Sequence, residues 1–222
     1  MRLGAVIPNF SAETTEGPIQ FYDWQGDSYV ILFSHPADFT PVCTTELAEL
    51  VHHNDDFVKR NVKLIGHSVD SVESHLEWIK DINSYCSNLP TDFPFPIIAD
   101  KERDLAIELG MLDEDQRHDM QAAITIRALY IVGPDHKVRL SMLYPNGTGR
   151  SVEEILRCLD SIQLTDRIKN VATPASWTPG TDVMILPTVP DDDIRRLFPR
   201  QEITYRRVPS GRRYLRYFSN FN

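Results

Sequence analysis

One stretch of the 222-residue chain, Pro36-Ala-Asp-Phe-Thr40-Pro41-Val42-Cys43-Thr44-Thr45-Glu46, holds the residue types that nucleophilic sulfur chemistry needs. Thr40 is a favoured helix N-cap, and Pro41 then takes the first helical position, where its missing N–H leaves nothing unsatisfied. Cys43 falls in the first turn. Its sulfur would lie near unpaired backbone N–H groups and the positive end of the helix dipole, both of which favour the thiolate. The thiolate is the nucleophile, so local geometry alone predicts a reactive cysteine. A small buried residue in a strand-to-helix turn is the plainer alternative, but the flanking Pro and Thr residues point to a shaped pocket.

Arg127, in Ile124-Thr-Ile-Arg127-Ala-Leu-Tyr-Ile131, is the second unusual residue. Strand alternation puts it on the same face as Leu129 and Ile131, where a charge is buried only with a partner. A nearby thiolate would be a suitable partner; a strand-end arginine reaching solvent is the alternative. The other two cysteines read differently. Cys158 lies among Ile155, Leu159 and Ile162 at helical spacing and reads as core. Cys86 sits in the polar stretch Asn83-Ser-Tyr-Cys-Ser-Asn88, with nothing nearby in sequence to activate it.

The elements that must position these residues follow from periodicity. Tyr29–Ser34 is a continuous apolar run of strand length, suited to a sheet covered on both faces. A helix is predicted from Cys43 to Val58 and a strand over Val62–Val69, which together make a parallel βαβ unit. Further helices are predicted over Val72–Ile82, Glu102–Leu109 (stopped by Gly110) and from Ser151 to Ile162, the last opened by a Ser151/Glu154 capping box. Strands are predicted over Phe95–Ala99, Ile124–Val132 and Val138–Tyr144. The alternation indicates an α/β fold with a central sheet flanked by helices. Six prolines, from Pro174 to Pro209, punctuate a segment of little periodicity. The expected division is therefore a domain over 1–170 and an irregular C-terminal subdomain over 171–222 that packs on a neighbouring copy.

Composition narrows the classes. The net charge is −9; residues 191–222 carry eight arginines against four acids, net +4, which leaves −13 for the rest. That balance argues against a general nucleic-acid binder. No apolar run is long enough for a bilayer span, and the N-terminus lacks the pattern of a signal peptide. Three widely spaced cysteines without a Cys-x-x-Cys exclude a disulfide framework, a zinc ribbon and a dithiol motif, so a reducing compartment, the cytosol, is expected. His52-His53 are adjacent and diverge around a helix, so no metal site is expected there, and no cofactor is implied. The arginine-rich tail reads as a solvated or dimer face rather than a membrane contact.

Pro36-x-x-x-Thr40-x-x-Cys43, continued by Pro-Val-Cys-Thr-Thr-Glu, resembles the active-site pattern of the peroxiredoxins. His35-Pro36, Tyr144-Pro145, Thr148-Gly149-Arg150, Val171-Ala-Thr-Pro174, Leu186-Pro-Thr188, Leu197-Phe-Pro199, Pro209-Ser-Gly211 and Tyr214-Leu-Arg216 are similar to the animal one-cysteine branch, the peroxiredoxin 6 subfamily. The resemblance covers nearly the whole chain. It implies a thioredoxin-like fold and a thiol peroxidase that reduces hydrogen peroxide and organic hydroperoxides, with an antioxidant role. Cys43 would be the peroxidatic cysteine, Thr40 the hydroxyl that orients sulfur and peroxide, Pro36 the shield against water and Arg127 the pocket cation. Glu46 is placed to orient Arg127, and His35 and Arg150 are candidates for the pocket rim. Val171-Ala-Thr-Pro174 stands where two-cysteine members carry a resolving cysteine, so an external thiol is implied, with glutathione, delivered by a glutathione transferase, as the leading donor. A homodimer is implied as well.

Two other classes stay open on sequence: a peroxide sensor or holdase, which would consume one equivalent instead of turning over, and a lipid hydrolase. Some subfamily members hydrolyse phospholipids with a serine, a histidine and an aspartate. Here the matching positions hold Ser28, Tyr22 and Asp135, and a tyrosine cannot serve as a base near neutral pH. Hydrolase activity is not expected.

Overall fold

The apolar run Tyr29–Ser34 forms the central strand of a five-stranded mixed sheet, in a computed structural model that describes residues 1–86, 93–116 and 123–219. Preceding it are a two-residue hairpin, β1 (Ser11–Ala12) with β2 (Ile19–Gln20), and a short helix α1 (Phe21–Gln25). The central strand is β3; α2 (Pro41–His52), α3 (Asn54–Val58), β4 (Val62–Ser68), α4 (Val72–Tyr85) and β5 (Ile97–Ala99) follow. Next come α5 (Asp104–Leu109), β6 (Arg127–Val132) and β7 (Val138–Tyr144). The sheet order is β5-β4-β3-β6-β7, with β3, β4 and β5 parallel and β6 and β7 antiparallel to their neighbours.

Strand alternation divides the core between the two faces of this sheet. Val30, Leu32, Ile65, Ala128, Tyr130 and Val132 join Leu105, Ala106 and Leu109 of α5 in one cluster. Ile31 pairs with Ile131 and Phe33 with Leu129, so Arg127 continues the opposite face, as alternation predicts. Every residue of β6 is buried, which brings the cation into the interior.

Boundaries moved where a residue found a better local partner. The expected helix over 43–58 is two, because His53 leaves helical geometry (φ −94°, ψ 9°) and its ring bonds Asp56 at 3.0 Å. The strand expected from Ile124 begins at Arg127: Thr125 donates its hydroxyl to the His35 carbonyl at 2.7 Å, and Ile126 N–H goes to Met111 O. Helix α5 starts at Asp104, after Arg103 in the left-handed region (φ 66°).

The chain divides into two units, Met1–Val152 and Glu153–Asn222, earlier than the expected boundary at 170. Nearly all of the helix α6 (Val152–Arg167) belongs with the second unit: Leu164 shares a core with Val171, Trp177, Val183, Ile185, Ile194 and Phe218, and Ser161 bonds Thr173 at 2.6 Å. That unit is not wholly irregular. It holds β8 (Val171–Ala172), β9 (Val183–Ile185), α7 (Asp191–Leu197), β10 (Thr204–Tyr205) and β11 (Arg216–Phe218), with sheet order β10-β11-β9-β8. Strands of two or three residues are too short to leave a periodic signal.

Candidate active site

Helix α2 begins with Pro41 at its first position, so Cys43 sits in the first turn, and it is fully buried. Thr40 has the extended backbone of an N-cap residue (φ −113°, ψ 146°), but its side chain does not cap the helix. Its hydroxyl instead donates to the Ala37 carbonyl at 2.9 Å, which leaves the oxygen's lone pairs as acceptors. Thr40 thus holds the N-cap position that the sequence indicates, without a side-chain capping bond. The Thr40 carbonyl receives both the Thr44 N–H at 3.0 Å and the Thr44 hydroxyl at 2.8 Å.

Arg127 reaches this turn from β6. Its Nη1 lies 3.3 Å from the Cys43 Sγ and 2.7 Å from Glu46 Oε2, while Nε and Nη2 both donate to the Asn146 carbonyl, at 3.0 and 2.8 Å. Glu46, one helical turn beyond Cys43, is gripped from its other side by Arg150. The Arg150 backbone N–H and Nε donate to Oε1 at 2.7 and 2.9 Å, Nη2 donates to Oε2 at 2.9 Å, and Nη1 donates to the Ala128 carbonyl at 2.7 Å. Burial opposes ionisation of Glu46, but the charge and hydrogen bonds of Arg150, with Arg127, outweigh it and hold the carboxyl below its usual range. A single buried carboxylate thus fixes two guanidinium groups, one of which faces the sulfur. Pro36 is buried just ahead of this turn.

His35 is placed differently from a pocket rim. It is fully buried and its Nε2 bonds Asp38 at 2.8 Å, while its ring packs 4.9 Å from that of Trp78. His35, Asp38 and His75 bring ligand-type atoms within 4.8 Å of one another, the one such group among the described residues. The Asp38 oxygens are already taken by the two rings and by Ser74, so the group is a hydrogen-bonded cluster. Sequence reasoning missed it, because His75 lies almost forty positions from His35 and Asp38 and outside the motif of Pro36, Thr40 and Cys43.

Burial holds the His35 imidazole below its ordinary range, against the hydrogen bond and charge of Asp38. An unfolded chain takes up a proton on His35 near its unperturbed value of about 6.5, and the native chain does not. Stability present above that value is therefore lost as the pH falls toward the lowered native one, by at most about 1.4 kcal/mol per pH unit. Urea midpoints should drop between about pH 7 and about pH 5.5, and drop less in His35→Gln. Equal drops in both proteins would refute this.

The other thiols are poorly placed for chemistry. Cys158, buried on α6, is pushed up to about 11 by burial and by the hydrogen bond to the neighbouring Glu154 carboxylate. Burial, then the charge of Glu49, also raises Cys86 at the end of α4; Ser87 and Asn88, part of its expected loop, lie outside the described residues. The bonds of the three hydrolase-like positions lead apart. Ser28 donates to Asn61 at 3.0 Å, Asp135 pairs with Arg139 at 3.0 Å, and Tyr22 donates to the Ile7 carbonyl at 2.6 Å beneath the stacked ring of His136.

Comparison with known proteins finds relatives along nearly the whole chain. Residues 3–141 match the model of the AhpC/TSA family, and residues 161–198 match the C-terminal domain of 1-Cys peroxiredoxin. The chain is 54 % identical over 216 residues to Peroxiredoxin-6 of Gallus gallus and to that of Homo sapiens, in each case covering 97 % of this chain and 96 % of the relative. Among solved structures, a cysteine-to-serine mutant of the peroxiredoxin 6 of Arenicola marina superposes with a TM-score of 0.91 at 49 % identity, over 99 % of this chain and 98 % of the other. A yeast mitochondrial 1-Cys peroxiredoxin, described with thiol resolution via glutathione/thioredoxin systems, gives a TM-score of 0.85 at 40 % identity, over 99 % and 100 %.

Proposed function

From the premise that the chain belongs to the AhpC/TSA family, in its 1-Cys peroxiredoxin branch with a thioredoxin-like fold, we propose a working cycle for it as a thiol peroxidase. The observation that carries the proposal is the wholly buried Cys43 in the first turn of α2, with its sulfur 3.3 Å from the Arg127 guanidinium. The Cys43 thiolate attacks the distal oxygen of a hydroperoxide. An S–O bond forms as the O–O bond breaks, the sulfur is oxidised to a sulfenic acid, and the leaving oxygen takes up a proton and departs as water or alcohol. Arg127 stabilises the negative charge that grows on the peroxide oxygens. The Thr40 oxygen, its hydrogen committed to Ala37, accepts from the peroxide O–H and aims it at the sulfur. Pro36 shields the pocket from water, and Glu46 and Arg150 hold Arg127 in place.

The return half of the cycle uses an external thiol. Val171-Ala-Thr-Pro174 holds no cysteine, so the sulfenic acid has no resolving partner at that position. Thiol resolution in the yeast relative supports glutathione as the donor, and a glutathione transferase is the partner that would deliver it. We place the protein in the cytosol as a homodimer with an antioxidant role. No helix among the described residues is long and apolar enough to cross a membrane. Strand β7 is at the edge of its sheet, with Leu143 exposed, which suits pairing with a second copy.

Mass spectrometry tests both parts. Under native conditions the protein should appear as a dimer. Denatured after excess peroxide without thiol, it should carry two or three added oxygens on Cys43, with no intersubunit disulfide, because a waiting sulfenic acid meets further peroxide. With glutathione present, many equivalents of peroxide should be consumed. Consumption of a single equivalent would favour the sensor reading, and a Cys43–Cys86 crosslinked peptide would overturn the one-cysteine cycle.

A further inference from the structure

The connection between β3 and α2 is tied down by one buried carboxylate. The Asp38 side chain is 1 % exposed. Its Oδ1 accepts from His35 Nε2 at 2.8 Å, and its Oδ2 accepts from the Ser74 hydroxyl at 2.7 Å and from His75 Nδ1 at 2.8 Å. The Asp38 backbone N–H donates to Asp70 Oδ2 at 3.0 Å, an oxygen that also receives the Ser68 hydroxyl at 2.8 Å. One residue therefore joins the end of β3, the turn after β4 and the first turn of α4.

Both oxygens of the Asp38 carboxylate have partners in the cluster. Both ring nitrogens of His75 face acceptors, Asp38 Oδ2 and, at 3.2 Å, the Ile98 carbonyl. The ring is thereby held between the Asp38 carboxylate and the backbone of β5. The other nitrogen of His35 is buried without a partner, which makes that ring a single donor to Asp38.

The next residue shows what this anchorage holds. Phe39 has φ +54°, the left-handed region, which bulky side chains rarely adopt and which persists only where the surroundings over-determine it. Its own side chain is 53 % exposed, so packing of the ring does not hold the backbone there. Its neighbours in the chain are the anchored Asp38 on one side and the start of α2 on the other. Thr40 follows directly, with Cys43 three residues later.

We propose that Asp38 is a positioning residue for the peroxidase reaction. By clamping the β3–α2 connection to α4, it imposes the left-handed turn at Phe39 and so sets the Thr40 hydroxyl and the Cys43 sulfur where one peroxide meets both. This rests on the peroxidase reading above.

The second buried His–Asp pair supplies a matched control. Asp100 accepts from His67 Nε2 at 3.0 Å and from the backbone of Ala106 at 2.8 Å, on the sheet face opposite Cys43. Asp38→Asn and Asp100→Asn should both lower the melting temperature. Only Asp38→Asn should slow the second-order reaction of folded protein with hydrogen peroxide, by about tenfold or more, since a misplacement of about 1 Å can cost on the order of a hundredfold. Alkylation of Cys43 by iodoacetamide, which needs the thiolate but not the peroxide geometry, should change by less than about threefold. Should Asp38→Asn fail to fold, Ser74→Ala removes one of its bonds and should slow the peroxide step by about two- to fivefold with alkylation unchanged. A wild-type peroxide rate in Asp38→Asn, or in Ser74→Ala as its substitute, overturns the inference, as does an equal loss in Asp100→Asn. Failure of the wild type to react with peroxide would instead sink the peroxidase reading itself.

Discussion

Cys43→Ser should show no peroxide reduction above background, while Cys158→Ala should keep turnover within about twofold of wild type. A serine hydroxyl is not ionised near neutral pH and does not accept an oxygen atom, so the substitution removes the only acceptor in the proposed cycle. Nothing else can replace it. Burial and the Glu154 carboxylate push the Cys158 thiol up to about 11, and burial raises Cys86 as well, so neither supplies much thiolate at neutral pH. Glutathione-coupled consumption of hydrogen peroxide, with circular dichroism to confirm folding, measures both variants. Substantial turnover in Cys43→Ser would end the assignment, and a collapse in Cys158→Ala would mean that a second thiol takes part.

Arg127→Met should slow the peroxide step by on the order of a hundredfold, because removing one preorganised donor from comparable sites costs roughly 2.7–4 kcal/mol. The side chain is nearly isosteric along its stem, and Glu46 keeps three of its four hydrogen bonds from the two arginines: those from Arg150 remain after the one from Arg127 is lost. The buried carboxylate is thus not stranded, and the variant should fold. Alkylation of Cys43 should slow too, since a nearby cation favours the thiolate. Arg127→Lys should recover only part of the rate, as a lysine ammonium cannot reproduce the planar fork that reaches Sγ, Glu46 and the Asn146 carbonyl together. Stopped-flow measurement of the second-order rate decides the matter; an unchanged rate in Arg127→Met would remove the residue from the mechanism.

What could be read before the fold was known follows a simple physical division. The apolar run of β3, the helix start at Pro41 and the face of Arg127 depend on neighbours in sequence, and each is where local rules put it. Thr40 holds its N-cap position as read, but that its hydroxyl bonds a carbonyl three residues earlier depends on the turn's geometry in detail and was not legible. The Asn146 carbonyl that holds Arg127 could not be read, since any residue offers a carbonyl and only the fold aims it. Asp38 with His75 was hidden for the same reason, a partner far away in the chain, and the strands of the second unit because two or three residues leave no periodicity.

The anchorage of Arg127 has a mechanical consequence. Its guanidinium is fastened to the sheet by β6, to a loop carbonyl and to Glu46, whereas the sulfur it faces belongs to the first turn of a helix. Protein interiors have little spare volume, so each oxygen atom added to a fully buried sulfur 3.3 Å from a nitrogen must displace something. The fixed cation is the less yielding wall. An oxygen atom added to that sulfur would therefore press on the first turn of α2 from inside a closed interior.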